Sequence, residues 1–495
     1  MTRSGWFGSG AEKLSVSVMP AGSAALMAAP PVAAAAVASA RVPGGARPLK
    51  DRLRATLRQP SEALSPRALR RLLAELQAII DPHVSEVEGG RRAQDMAAWY
   101  AAAPIEERRD FWLLMSEHFV ADQKATKAAQ AQFAAAVGTP DEAVAEVRYR
   151  RATVSPRRRL LQRFSVFPEG IRFLVDLRAE MLPALRSDKR LQALDVEMEY
   201  MFSTWFDVAF LDLRRISWDS PASLIEKLIR YEAVHDIRSW DDVKNRLDSD
   251  RRCYGFFHPR LPDEPLIFVE VALMDEIADS ITPLLDEAAA PANLDKATTA
   301  IFYSISNTQN GLRGVSFGDS LIKRVVETLK EEFPRLKCFV TLSPIPGFRA
   351  WLQKNATALL VQAGDKARAD MVRAVGGREP TSEVLLAALE KPLALDPKSP
   401  LRLFLLACAA QYLGLEQQQG KPLDPVARFH LGNGARIERL NWGGDPSAKG
   451  LKQSYGLMVN YLYDLKRLDK HRAMLGEGKI PVSGAVKDLF FDGSA

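Results

Sequence analysis

The stretch TLSPIPGFRAWL starts at Thr341 and places Ser343 directly after the apolar run CFV at 338–340. Pro344 and Pro346 each fix φ at about −65° and restrict the residue before them. A hydroxyl held this way at a strand end could orient one polar group of a ligand, because α/β ligand sites often lie at strand ends. The same residues also read as a turn that stops a strand and carries an incidental serine. No GxSxG elbow is present, so nothing points to a hydrolase nucleophile.

A second stretch runs Gly311-Leu312-Arg313-Gly314-Val315-Ser316-Phe317-Gly318-Asp319 and leads into a helix-patterned segment. Glycines let backbone approach a ligand closely, and the free N–H groups of a helix start attract phosphate. Arg313 could add a charge-assisted contact. The pattern is neither a Walker A loop nor the Rossmann GxGxxG, and a simple strand-to-helix turn is the competing reading.

The third is His430, in ARFHLGNGA. The surrounding RFHLGNGARIERLNW resembles a hairpin with Gly432-Asn433-Gly434 as its turn, which puts His430 on a strand beside Phe429 and Leu431. There it could be an acid–base group or a satisfied structural residue. Tyr461 and Tyr463 alternate in LMVNYLYD and read as packing residues.

These residues need elements to hold them. From Ser61 to about Leu194 the signals are helical. Ser65-Pro66 supplies an N-cap and an N1 proline, followed by Leu69, Leu72, Leu73, Leu76 and Ile79 at helical spacing. Ser155-Pro156 repeats the device. Beyond Trp205, PLIFVEVAL (265–273), TTAIFYSIS (298–306) and LKCFVTL (336–342) are short β-rich runs. Between the last two lies a helix carrying Leu321, Ile322, Val325, Val326, Leu329 and Phe333 on one face, closed by Pro334. The order is strand, glycine-containing loop, helix, strand. The fold class is therefore α+β, an all-α bundle followed by a mixed-sheet domain.

At 495 residues the chain exceeds one ordinary core. The balance of 67 basic against 61 acidic residues is a small excess, with no basic run interleaved with aromatics, so no nucleic-acid partner is expected. Cys253, Cys338 and Cys408 lack metal spacing, and no two of the six histidines share HxxxH or HxH, so neither disulfides nor a zinc site are expected. The alanine-rich segment 20–40 is interrupted by Pro30-Pro31 and is too weakly apolar to span a membrane. It reads as a disordered tail, with a faint likeness to a transit peptide.

Taken together and in order, RRCYGFF, DEPLIFVEVAL, TTAIFYSIS, TQNGLRGV, GDSLIKRVVETLKEEFP, LSPIPGFRAWL, ARFHLGNGA and LMVNYLY resemble malonyl-CoA decarboxylase. The blocks span about residues 197–465. Composition sets a disordered Ala/Pro-rich tail over 1–58, and the resemblance implies a helical oligomerisation domain over 59–196 and a catalytic domain of the N-acetyltransferase (GNAT) fold over 197–495. It implies the conversion of malonyl-CoA to acetyl-CoA and CO2 without metal or organic cofactor. It also implies a homo-oligomer, tetramer or dimer, assembled through the helical domain. The family's catalytic serine and histidine fall on Ser343 and His430. Its CoA-binding loop falls on Arg313, Gly314, Val315, Ser316, Phe317, Gly318 and Asp319, and a tyrosine near the site on Tyr463. Vertebrate members carry a glutamate where this chain has Ser316, so no acidic role carries over there. The C-terminal DGSA is not a peroxisomal signal. A bacterial cytoplasm is the expected location, with the mitochondrial matrix as the alternative. An acyl-CoA N-acyltransferase of the same fold and a non-catalytic malonyl-CoA-binding scaffold are the competing functions.

Overall fold

The structure is a computed structural model and describes residues 47–315, 317, 321–377 and 381–491. Helices account for all regular structure before Asp212 among the described residues. Ser65 caps the helix Pro66–Ile79 by accepting from the Ala68 N–H, and its Leu69, Leu72, Leu76 and Ile79 are buried. Ser155 caps Pro156–Phe164 in the same way. The helical region begins earlier than the tail expected over 1–58 would allow. Leu49–Arg54 is already a helix, with Leu49 and Arg52 buried. Arg52 donates to Asp110 at 2.6 Å, and that ion pair with the Leu49 contact pins the segment. Composition hides this, because an isolated Leu and Arg after a run of alanines carry no periodic signal.

The second half carries a mixed sheet. Its strands are β1 (Asp212–Ile216), β2 (Arg251–His258), β3 (Leu261–Met274), β4 (Thr299–Asn307), β5 (Cys338–Thr341) and β6 (Ser343–Pro344). A small hairpin, β7 (Gln417–Gln418) and β8 (Lys421–Pro422), stands apart, and β9 (Arg436–Asn441) and β10 (Met458–Leu462) complete the main sheet. The order is β1-β2-β3-β4-β5-β10-β6, with β9 on β10. Every residue of β2 is buried, which is why this strand shows no apolar–polar alternation.

Among the named strands of the described residues only β4 and β5 pair in parallel, and their pairing decides where the site forms. It runs from Thr299↔Cys338 to Phe302↔Thr341 and stops there. β4 continues to Asn307 against β3, while the chain after β5 turns off and pairs Ser343 with Val459 of β10. The helix Leu321–Glu332 connects the two strands and buries Leu321, Ile322, Val325, Val326 and Leu329. Strand, loop, helix and diverging parallel strand form the arrangement expected of a GNAT-like domain.

The helical region shapes the loop after β4. Gly311 lies so close to the helix Gly170–Met181 that an added Cβ would sit 1.9 Å from the Val175 carbonyl oxygen. Arg178, 1% exposed, donates from Nη1 to the carbonyls of Gly311 (2.7 Å) and Arg313 (2.9 Å). Its Nε donates to Asp195 at 2.8 Å. The loop's conformation is thus held from the other half of the chain.

Candidate active site

Ser343 is 5% exposed, at the point where β4 and β5 part. Its Oγ donates to Thr341 Oγ1 at 2.8 Å, and that oxygen also accepts from the Tyr461 N–H at 3.2 Å. Two residues on the same strand face, i and i+2, therefore share one polar contact.

His430 reaches Ser343 from a helix, and the expected hairpin strand is not formed. Asp424 caps the helix Pro425–Gly432 by accepting from the Val426 and Ala427 N–H groups, both at 2.9 Å, and Pro425 occupies its first turn. Asp-Pro is a strong helix start, and it overrides the glycine-rich signal that begins at Gly432. Gly432 ends the helix, Gly434 takes φ +85°, and the strand begins only at Arg436. His430 sits in the last turn.

Its imidazole is 3% exposed and bonded on both nitrogens. Nε2 lies 3.3 Å from Ser343 Oγ and Nδ1 lies 2.7 Å from the Tyr463 hydroxyl. The Tyr461 ring stacks on it, with centroids 4.7 Å apart. Burial without a charged partner pushes the imidazole down to about 3, so it is neutral at neutral pH. Burial raises the Tyr463 phenol above its ordinary value, so this group keeps its proton. The phenol therefore donates to Nδ1, and the remaining imidazole proton lies on Nε2, facing Ser343.

One residue ties the two halves of this group together. Asp424 is fully buried; besides capping the His430 helix it accepts from the Tyr412 hydroxyl at 3.3 Å. Tyr412 lies against Gly347, the turn residue after Ser343-Pro344-Ile345-Pro346, where a Cβ would come 2.3 Å from its hydroxyl oxygen. The turn that orients Ser343 and the helix that presents His430 share this contact.

Ser343, His430 and Tyr463 are thus brought together. Thr341 and Asp424 join them without having been singled out, although i, i+2 spacing and the Asp-Pro start are legible signals for them; Tyr461, read from the sequence as a packing residue, stacks on His430. In the loop, Arg313 and Gly314 are exposed, Val315 is buried and Phe317 half-buried. Ser316, Gly318 and Asp319 lie outside the described residues. Among the described residues no hydrogen bond or ion pair joins the loop to Ser343, His430 or Tyr463. Ser304 and Ser306 of the FYSIS segment donate to the buried Glu232 carboxylate at 2.8 and 3.1 Å. No group of three or more His, Cys, Asp and Glu among the described residues is placed to hold a metal.

Comparison with known proteins bears on this geometry. Residues 209–494 match the family model described as malonyl-CoA decarboxylase C-terminal domain, and 119–206 match the N-terminal domain of that family. The mitochondrial malonyl-CoA decarboxylase of Mus musculus is 39% identical over 363 residues, 70% of this chain and 73% of that protein. The Rattus norvegicus protein is 38% identical over 367 residues, with the same shares. The crystal structure of malonyl-CoA decarboxylase from Rhodopseudomonas palustris superposes with TM-score 0.73 at 40% identity, covering 85% of this chain and 99% of that one. The Cupriavidus metallidurans structure gives 0.70 at 43%, covering 86% and 100%. The chain belongs to the malonyl-CoA decarboxylase family.

Proposed function

We propose that the chain converts malonyl-CoA to acetyl-CoA and CO2, with Ser343, His430 and Tyr463 as the working side chains. The observation that carries this is the hydrogen-bonded series Tyr463, His430, Ser343 at the parting of β4 and β5, in a member of this family. When the carboxylate leaves, the C–C bonding pair moves into the thioester, giving an enolate whose carbon takes up one proton. The protein's tasks are to hold the carboxylate out of the thioester plane, to stabilise the enolate oxygen, and to deliver that proton.

Ser343 hydrogen-bonds the carboxylate. His430 supplies the proton from Nε2, by way of Ser343 or directly. A neutral imidazole that gave up its Nε2 proton alone would be left as a buried imidazolate anion, so Nδ1 takes the Tyr463 proton in the same event, and solvent reprotonates the phenol. One solvent proton is consumed per turnover. The loop from Arg313 through Asp319, with the start of the following helix, binds the CoA phosphates.

Two expectations follow from these roles. Tyr463→Phe removes one hydrogen bond and the fixed tautomer, so kcat falls roughly 5–30-fold, the equivalent of one such bond, with KM little changed. An equal loss in KM would indicate a binding role instead. Gly311→Ala forces a methyl into the Val175 carbonyl. Overpacking costs ~1–3 kcal/mol, so KM for malonyl-CoA rises roughly 5–100-fold while kcat holds, and Tm falls in a thermal melt.

The helical region is proposed to assemble the oligomer. The helices Gln123–Ala136 and Glu142–Thr153 bury almost nothing beyond each other, stack Phe133 on Tyr149, and leave Val137, Val144, Val147 and Val154 exposed. Such an unpartnered hairpin suits a second copy. A bacterial cytoplasm is the proposed location, in keeping with the bacterial solved relatives; the mitochondrial matrix accords with the vertebrate ones.

Incubation with malonyl-CoA alone tests the function. A decarboxylase releases acetyl-CoA and CO2 in equal amounts with no acceptor present. Turnover only after an amine is added would mark an N-acyltransferase, and tight binding without turnover a scaffold.

A further inference from the structure

One large cavity among the described residues does not contain Ser343, His430 or Tyr463. It encloses about 1410 Å³ between the helical region and the loop after β4, with Asn310 and Arg313 as its only loop residues. Seven arginines and four carboxylates line it. Two of those carboxylates, Glu62 and Asp110, already pair with lining arginines. Arg58, Arg186 and Arg313 are exposed and make no ion pair among the described residues. Glu106 and Glu107 are the remaining acids and open the first turn of the helix Ile105–His118. The arginine-bearing walls are thus left positive. The volume exceeds that of most small-ligand pockets, roughly 300–1,000 Å³, and Arg313 links it directly to the loop proposed to hold the CoA pyrophosphate.

Resting on that reading, we propose that this cavity receives the 3′-phosphoadenosine end of CoA, with Arg186 and Arg58 on the 3′-phosphate and Arg313 between that phosphate and the pyrophosphate. Guanidinium groups suit both partners, since they bind phosphate through paired N–H donors and stack on flat rings. The helical region then reads the nucleotide while the sheet domain performs the chemistry.

Three thioesters separate the readings: malonyl-CoA, malonyl-3′-dephospho-CoA and malonyl-pantetheine. For the wild type, KM is expected to rise at each truncation. Arg186→Ala and Arg58→Ala should each raise KM for malonyl-CoA about tenfold, the worth of one charge-assisted contact, with kcat unchanged. Their KM for malonyl-3′-dephospho-CoA should stay within about twofold of wild type. Arg186→Lys should recover part of the loss. Adenosine 3′,5′-bisphosphate should inhibit competitively, and more weakly in Arg186→Ala. If the full and dephospho thioesters share one KM while the pantetheine ester is poor, the cavity assignment fails and the loop assignment stands. If all three share one KM, both fail. Non-competitive inhibition by the bisphosphate would mark a separate nucleotide site and overturn the proposal.

Discussion

His430→Asn is expected to lower kcat for malonyl-CoA by roughly 10²–10⁴-fold, the usual worth of a general acid, while CoA affinity persists. Asparagine keeps a polar group of similar length at the end of the same helix turn, so Asp424, Pro425 and the helix they start are undisturbed. The loss therefore falls on proton delivery. Near wild-type turnover in this variant would remove His430 from the mechanism, and a matching loss of CoA binding would make it structural. The buried imidazole also sets a pH expectation. Pushed to about 3 in the folded chain against about 6.5 when exposed, it stays neutral, so kcat/KM of the free enzyme carries no inflection from His430 between pH 5 and 8. Its contribution to folding is fully present above the unfolded value and fades as pH falls toward the folded one. On acidification the Asn variant should accordingly lose less stability than the wild type, as read by Tm across a pH series.

Ser343→Ala is the second large effect. It removes the hydroxyl that faces both His430 Nε2 and Thr341 Oγ1. Losing one preorganised donor at a reacting group typically costs ~10²–10³-fold in kcat. Stability should change little, because Thr341 retains the Tyr461 N–H contact and the change removes a single oxygen. The informative comparison is Ser343→Thr, which restores the hydroxyl with one extra methyl in a buried position. Recovery above the alanine variant identifies the hydroxyl as the working group, and none would point to shape alone.

Much of this site was written in local signals, and the rest was not for identifiable reasons. Ser343 stood out because two prolines and a glycine follow an apolar run, and the structure places it at a strand end. The helix Leu321–Glu332 was equally plain from its apolar face, and its bounds agree with that pattern. GNG suggests a hairpin turn and with it a strand at His430; the side-chain cap of Asp424 and the first-turn Pro425 outweigh it and start a helix. The meeting of His430 with Ser343 spans 87 positions and depends on β10 pairing with both β5 and β6. No periodicity encodes that, and only the family resemblance linked the two residues. Arg178 was invisible for a related reason. Its two loop carbonyls lie more than 130 positions away, and an arginine on an apolar helix face reads as an interruption of the pattern. The early start of the helical region was hidden by composition, since one buried leucine and one ion pair decide it.

The central claim is that Ser343 and His430 act as one unit, and a double-mutant cycle on kcat tests it most directly. Wild type, Ser343→Ala, His430→Asn and the double variant are each given malonyl-CoA as sole substrate, and acetyl-CoA formation is followed. For residues acting as a unit, the double variant should be about as slow as the slower single variant. Losses that multiply across the two sites would contradict the account.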